Sequence, residues 1–161
     1  METNSNKSEE ELKVEKKWEN MKLNGYKSHL IVKNSPGKGL GVFANRNFEI
    51  GEDIEYCHSA PLAFKQRYTH DPGILKYAYW TTTCKCEDCK RHGPNGFMLF
   101  GNGSIYNSAD SAESANAIFF IYPKNSLVVF KSTKKIKKDE EILVWWGQKY
   151  YDGWCLNKNN Q

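Results

Sequence analysis

The chain has 161 residues, of which 39% are hydrophobic and 14% aromatic, enough for one apolar core plus an extension. Its 23 Lys and Arg against 19 Asp and Glu leave a net charge of +4, too small by itself to point to nucleic acid. No apolar run approaches a membrane span, and the polar start METNSNKSEEE is not a signal peptide. The sequence therefore reads as an intracellular protein, nuclear or cytoplasmic, and not a secreted one.

Residues 1–27 form an N-terminal extension with a predicted helix. Ser8 followed by Glu11 is a capping box, and EEELKVEKKWENMK is rich in strong helix formers. Val14, Trp18 and Met21 fall on one helical face, which predicts an accessory helix packed on the domain. Residues 28–151 form the main domain. HLIVKNS reads as a strand, SPGKGLG as a loop, and LGVFANRNF and EDIEYC as two strands around a turn. ILKYAYW, after Pro72 and Gly73, fits a short helix. Residues 81–96, TTTCKCEDCKRHGPNG, form a Cys-rich, loop-like insert. FMLFGNGSIYN, AIFFIYP, SLVVFKST and EILVWWG read as further strand-like runs, and residues 152–161 are a tail. Many short strands with little helix predict a mostly β (α+β) fold.

Three segments carry chemistry. GKGLGVFA alternates Gly37, Gly39 and Gly41, so the backbone can turn tightly or approach a ligand closely. No helix follows it, which excludes a dinucleotide fingerprint, and no GK[ST] makes it a phosphate loop. GNGSIYNSADSAESAN offers Asn107 and Asn116, each able to donate and accept, either in an ordinary turn or around a polar ligand. KKIKKDEEILVWWGQKYY joins charges that suit a solvated face to a dense set of rings. Those rings suit a wall around an apolar stem with an amine head.

In this order, the glycine loop, the later FxxGExI pattern, GxGSxYN and EEIxVxWG resemble the SET-domain family of S-adenosylmethionine-dependent protein lysine methyltransferases. The likeness covers about Lys27 to Tyr151 and is similar to the compact viral and bacterial members, with a PR-like C-terminal motif. It implies small twisted sheets with a C-terminal pseudoknot, an exception to the usual rule against threading. It implies that Lys38, Gly39, Leu40 and Gly41 hold the cofactor's methionine part. Asn107 would bind its amine, Ser108 beside it would also belong to the cofactor-binding set, and Tyr151 would lie near the adenine. Trp146 and Tyr106 take the catalytic positions, and Tyr77, Tyr79, Tyr106 and Trp145 are candidates to line a lysine channel. The implied partner is a protein with an exposed lysine, such as a histone, with no membrane and no direct nucleic-acid contact.

Two positions depart from the family pattern. Ser108 stands where the family has histidine, and Trp146 where it has a tyrosine whose hydroxyl orients the amine. Indole N–H only donates. The alternative to an enzyme is therefore a catalytically weak or inactive PR/SET-like module that binds a protein partner. Separately, Cys84, Cys86, Cys89 and His92 have spacing suited to one tetrahedral zinc, with Cys57, Cys155, His58 and His70 as other fourth ligands, or else they are reduced thiols in a loop. The odd count of five cysteines argues against a disulfide framework.

Overall fold

A computed structural model describes residues 8–24, 29–62, 77–80, 96–122 and 125–148. The helix α1, Glu9–Asn24, starts at the expected capping box: the Ser8 amide donates to Glu11 Oε2 (2.7 Å) and the Glu11 amide to Ser8 Oγ (3.2 Å). Three glutamates in its first turn oppose the positive end of the helix dipole. Val14 is buried, and Trp18 stacks on Tyr56 at 6.4 Å and meets His58 edge-on at 4.6 Å. Lys17 pairs with Asp53 beside them.

The strands are β1 (Leu30–Ser35), β2 (Gly39–Ala44), β3 (Asp53–Leu62), β4 (Ala78–Trp80), β5 (Gly96–Leu99), β6 (Asn107–Ser108), β7 (Ala117–Tyr122), β8 (Leu127–Ser132) and β9 (Leu143–Val144). β1 and β2 form an antiparallel hairpin. The other seven strands form one sheet in the order β4-β5-β3-β8-β7-β9-β6. The helix expected at ILKYAYW is corrected where it is described: Ala78–Trp80 is a strand paired with β5. Tyr79 and Trp80 favour extended backbone, and pairing with β5 decides a segment too short to hold a helix by itself.

Alternation along β3, β8 and β7 sends residues to two cores. On one face Tyr56, Tyr122, Leu127 and Val129 meet Val14 and Trp18 of α1. On the other, Cys57, Val128 and Phe130 join Tyr106, Ile142 and Val144. The register of β3 against β8 shifts between Asp53 and Glu55, a bulge that lets neighbouring Ile54 and Glu55 both be buried.

β9 lies between β6 and β7 and runs parallel to both. The loop 109–116 that joins β6 to β7 is fastened to β9 at each end: the Ala109 amide donates to Val144 O (3.0 Å) and the Asn116 amide to Leu143 O (3.1 Å). Buried Asn116 adds Oδ1 as acceptor for the Leu143 amide and Nδ2 as donor to Glu141 O, both at 2.8 Å. The C-terminal segment thus crosses beneath that loop, the pseudoknot arrangement expected from the sequence.

Candidate functional site

The turn between β1 and β2 carries Gly37 (φ 73°) and Gly39 (φ 84°), left-handed conformations that favour glycine. Gly41 has a different constraint. A Cβ there would lie 2.3 Å from Glu141 Oε1, 2.9 Å from Asn107 Nδ2 and 3.0 Å from Ser35 Cβ. The missing side chain makes room for a polar knot. Asn107 Nδ2 donates to Glu141 Oε1 (2.8 Å) and to Leu40 O (3.0 Å), while Ser35 Oγ donates to Glu141 Oε2 (2.9 Å). Lys38 reaches from the turn to donate to Ser108 O at 3.0 Å. Buried Ser108 turns its own hydroxyl to Ala109 O (2.9 Å). β1, β2, β6 and the segment entering β9 therefore meet in one polar junction rich in acceptors, with Lys38 reaching across it.

A second group lies where β9 ends. The ring of Trp146 meets Tyr79 at 4.6 Å, Phe119 at 4.9 Å and Phe130 at 6.5 Å. Tyr79 stacks on Phe97 at 5.5 Å. Tyr79 Oη donates to Gly103 O, Trp146 Nε1 to Tyr106 O (3.4 Å), and Tyr106 Oη to Glu55 Oε2 (2.7 Å). Buried Glu55 also accepts from the Asn102 amide (3.0 Å) and Asn102 Nδ2 (3.2 Å). Burial raises its carboxyl above the usual value, against the lowering effect of those donors. Burial likewise pushes the Cys57 thiol up, with the Glu55 charge adding to it, so Cys57 stays a thiol in the core.

The SET domain pattern matches residues 39–147, most of the chain, and takes in both groups apart from Ser35 and Lys38. The chain belongs to the SET-domain family. It is 28% identical over 153 residues to the N-lysine methyltransferase KMT5A-A of Danio rerio, an alignment that takes in 90% of this chain and 43% of that protein. The chain thus spans less than half the length of this relative. Among solved structures, CpSET8 from Cryptosporidium matches with TM-score 0.60 and 20% identity over 92% of this chain and 69% of that one. ATXR5 in complex with a mono-methylated histone H3.1 matches with TM-score 0.66 and 13% identity over 87% of this chain and 66% of that one. At those identities the likeness speaks for the fold.

Lys38, Gly39, Leu40, Gly41, Asn107 and Ser108, the residues the family resemblance named, lie together at the polar junction of β1, β2, β6 and the segment entering β9. Trp146, Tyr106 and Tyr79 meet in the second group. Tyr106 is only 4% exposed, so its hydroxyl faces the core and its carbonyl faces Trp146. Tyr77 is 52% exposed. Tyr151, Cys84, Cys86, Cys89, His92, Cys155 and His70 lie outside the described residues. Cys57 and His58 are neighbours on a strand, one in the core and the other under Trp18, so they do not converge. No group of metal-ligating side chains occurs among the described residues. Sequence reasoning missed Glu55, Glu141, Ser35, Phe97, Phe119 and Phe130. The donor set suits the amino-acid head of S-adenosylmethionine: an ammonium needs the lone pairs of Asn107 and Leu40, and a carboxylate needs the charge of Lys38.

Proposed function

We propose that this chain transfers a methyl group from S-adenosylmethionine to a lysine side chain of a protein, histone-like or other. The observation that carries the reading is the adjacency, within a SET fold, of an acceptor-rich polar junction at Gly41 and Asn107 to the ring cluster around Trp146. β6 connects them: Asn107 belongs to the polar junction, and the carbonyl of Tyr106, one residue before, anchors the Trp146 indole. An intracellular site of action, nuclear or cytoplasmic, goes with such a substrate. Among the described residues no helix is long and apolar enough to cross a membrane.

When bound, the cofactor supplies a sulfonium methyl open to in-line attack. The backbone from Lys38 to Gly41, with Asn107 and Ser108, would hold its methionine part, and Tyr151 would lie by its adenine. The rings of Tyr79, Phe119 and Trp146 would flank the lysine stem. A lysine with an ordinary pKa is neutral in only about one molecule in 2,500 at pH 7, and a wall that removes water favours the neutral form. Holding the amine in line then supplies much of the rate. Trp146 donates inward and offers the amine no acceptor, so it acts by shape. Tyr106, with its hydroxyl on Glu55, acts through the carbonyl that fixes the indole.

The same inward-facing polar atoms favour a second reading, a SET-like module that binds its partner without turnover. Titration with S-adenosylmethionine by calorimetry, followed by radiolabel transfer to histones and cell lysate, separates the two. Heat with labelling supports the enzyme; heat without labelling supports the module. No heat from folded protein refutes the cofactor reading. For the insert, Cys84, Cys86, Cys89 and His92 remain the proposed zinc ligands.

A further inference from the structure

We infer that Glu141 is a positioning residue that sets which way the Asn107 amide faces, and through it the recognition of a primary ammonium. The inference rests on the cofactor reading above and adds a residue to it. A primary amide is two-faced: one end donates twice, the other only accepts. Asn107 Nδ2 lies 2.8 Å from a carboxylate oxygen of Glu141 and 3.0 Å from Leu40 O. Both neighbours are acceptors, and turning the amide over would set Oδ1 against two oxygens. The network therefore fixes the orientation, with both Nδ2 hydrogens used inside the protein. Oδ1 takes no hydrogen bond among the described residues. It is left as the acceptor that a ligand ammonium requires.

Glu141 is itself held. Its second oxygen accepts from Ser35 Oγ (2.9 Å), and its backbone carbonyl accepts from Asn116 Nδ2 (2.8 Å). Its carboxylate occupies the space of an absent side chain, since a Cβ on Gly41 would lie 2.3 Å from Oε1. Three segments thus converge on one carboxylate, β1 through Ser35, β2 through Gly41 and β6 through Asn107, while the loop end holds its backbone through Asn116. An acidic side chain whose purpose was solubility would not be met by a glycine and two donors. Its charge would also favour a cation at Oδ1 over a neutral group.

The test compares two ligands by calorimetry: S-adenosylmethionine, and methylthioadenosine, which lacks the amino-acid head. For wild type both bind. Glu141→Ala is expected to weaken S-adenosylmethionine about tenfold, the scale of one charged hydrogen bond, and to leave methylthioadenosine unchanged. Glu141→Gln, which can place its carbonyl oxygen on Asn107 Nδ2, is expected to recover most of the loss. Adding Asn107→Ala to Glu141→Ala is expected to cost nothing beyond Asn107→Ala alone, because Glu141 acts through that amide. Equal weakening of both ligands, or no weakening of either by Glu141→Ala, overturns the inference while leaving the cofactor reading intact. A Gln variant as weak as the Ala variant overturns it too, since charge rather than orientation would then be the cause. Wild type that binds neither ligand refutes the cofactor reading, and this inference with it. Thermal melts check each variant. If Glu141→Ala does not fold, Ser35→Ala frees one side of the same carboxylate and is expected to show a smaller loss for S-adenosylmethionine alone; equal or absent losses overturn the inference.

Discussion

Tyr106→Phe removes one oxygen from the buried cluster and nothing else. The ring remains against Phe130, whose centroid is 4.3 Å away, so no cavity for a side chain opens. What disappears is the 2.7 Å hydrogen bond to Glu55 Oε2, between two residues that are each 4% exposed. A hydrogen bond to a charged, buried acceptor contributes about 1.5–3 kcal/mol. For a domain of this size that corresponds to a fall in Tm of roughly 4–10 °C near neutral pH. The loss should depend on pH in a definite direction. Burial already raises the Glu55 carboxyl above its ordinary 4.5, and the Tyr106 hydroxyl is one of the groups that pull it back down. Between 4.5 and the raised value the folded state holds more proton than the unfolded one, so stability falls as pH rises through that window. Without the hydroxyl the folded value rises further, and the window extends upward. A neutral carboxyl has less need of the donor, so the variant and wild type should converge as pH falls towards 4.5. Urea unfolding of both proteins at a series of pH values measures this. A deficit below about 0.5 kcal/mol at pH 7, or one equal at every pH, would refute a charged Glu55 held by Tyr106.

Three further outcomes are expected. Trp146→Tyr should raise methyl transfer to lysine by at least about tenfold, because a phenol can accept from the amine as well as donate; cofactor binding with unchanged labelling would show that Trp146 does not face the amine. Trp18→Ala should cost about 2–4 kcal/mol in urea unfolding by stripping a ring from Tyr56 and His58; a loss under about 1 kcal/mol would mean that α1 is not held by that ring. Metal analysis of the purified protein should find about one zinc per chain, lost on Cys86→Ser, and less than about half an equivalent in wild type rules out the site.

The strands were legible as short runs of β-branched and aromatic residues bounded by turn residues, and the helix because Ser8 and Glu11 announce its start. ILKYAYW misled because seven residues with two β-formers at the end carry no decisive period, and the pairing partner lies elsewhere in the chain. Glu55 escaped notice for a geometric reason. In DIEYC a carboxylate between apolar neighbours reads as the solvent face, but both faces of β3 are covered, Tyr56 facing the α1 core and Glu55 with Cys57 facing the other. Glu141 sits in KKIKKDEE, where a run of charge reads as solvated surface. What turns it inward is the absence of a side chain 100 positions earlier in the chain, at Gly41. Phe97 and Phe119 carry no mark of their own within strand-like runs, and the structure leaves both partly buried against the core. Their place beside Trp146 depends on strand order, which no single segment encodes.

Because β9 is laid between β6 and β7 under a loop stapled to it, the order of assembly is constrained. Glu141 and Trp146 both travel on that last-placed segment. A chain emerging from the ribosome can form the β1–β2 hairpin and the β3–β8–β7 sheet well before it, yet would present Asn107 without its orienting carboxylate and Tyr79 without its indole neighbour. The two halves of the site are therefore completed in a single late event. Partly made or partly unfolded chains would hold neither half in working form, so affinity for ligand would itself report that the tail of the domain has been threaded home.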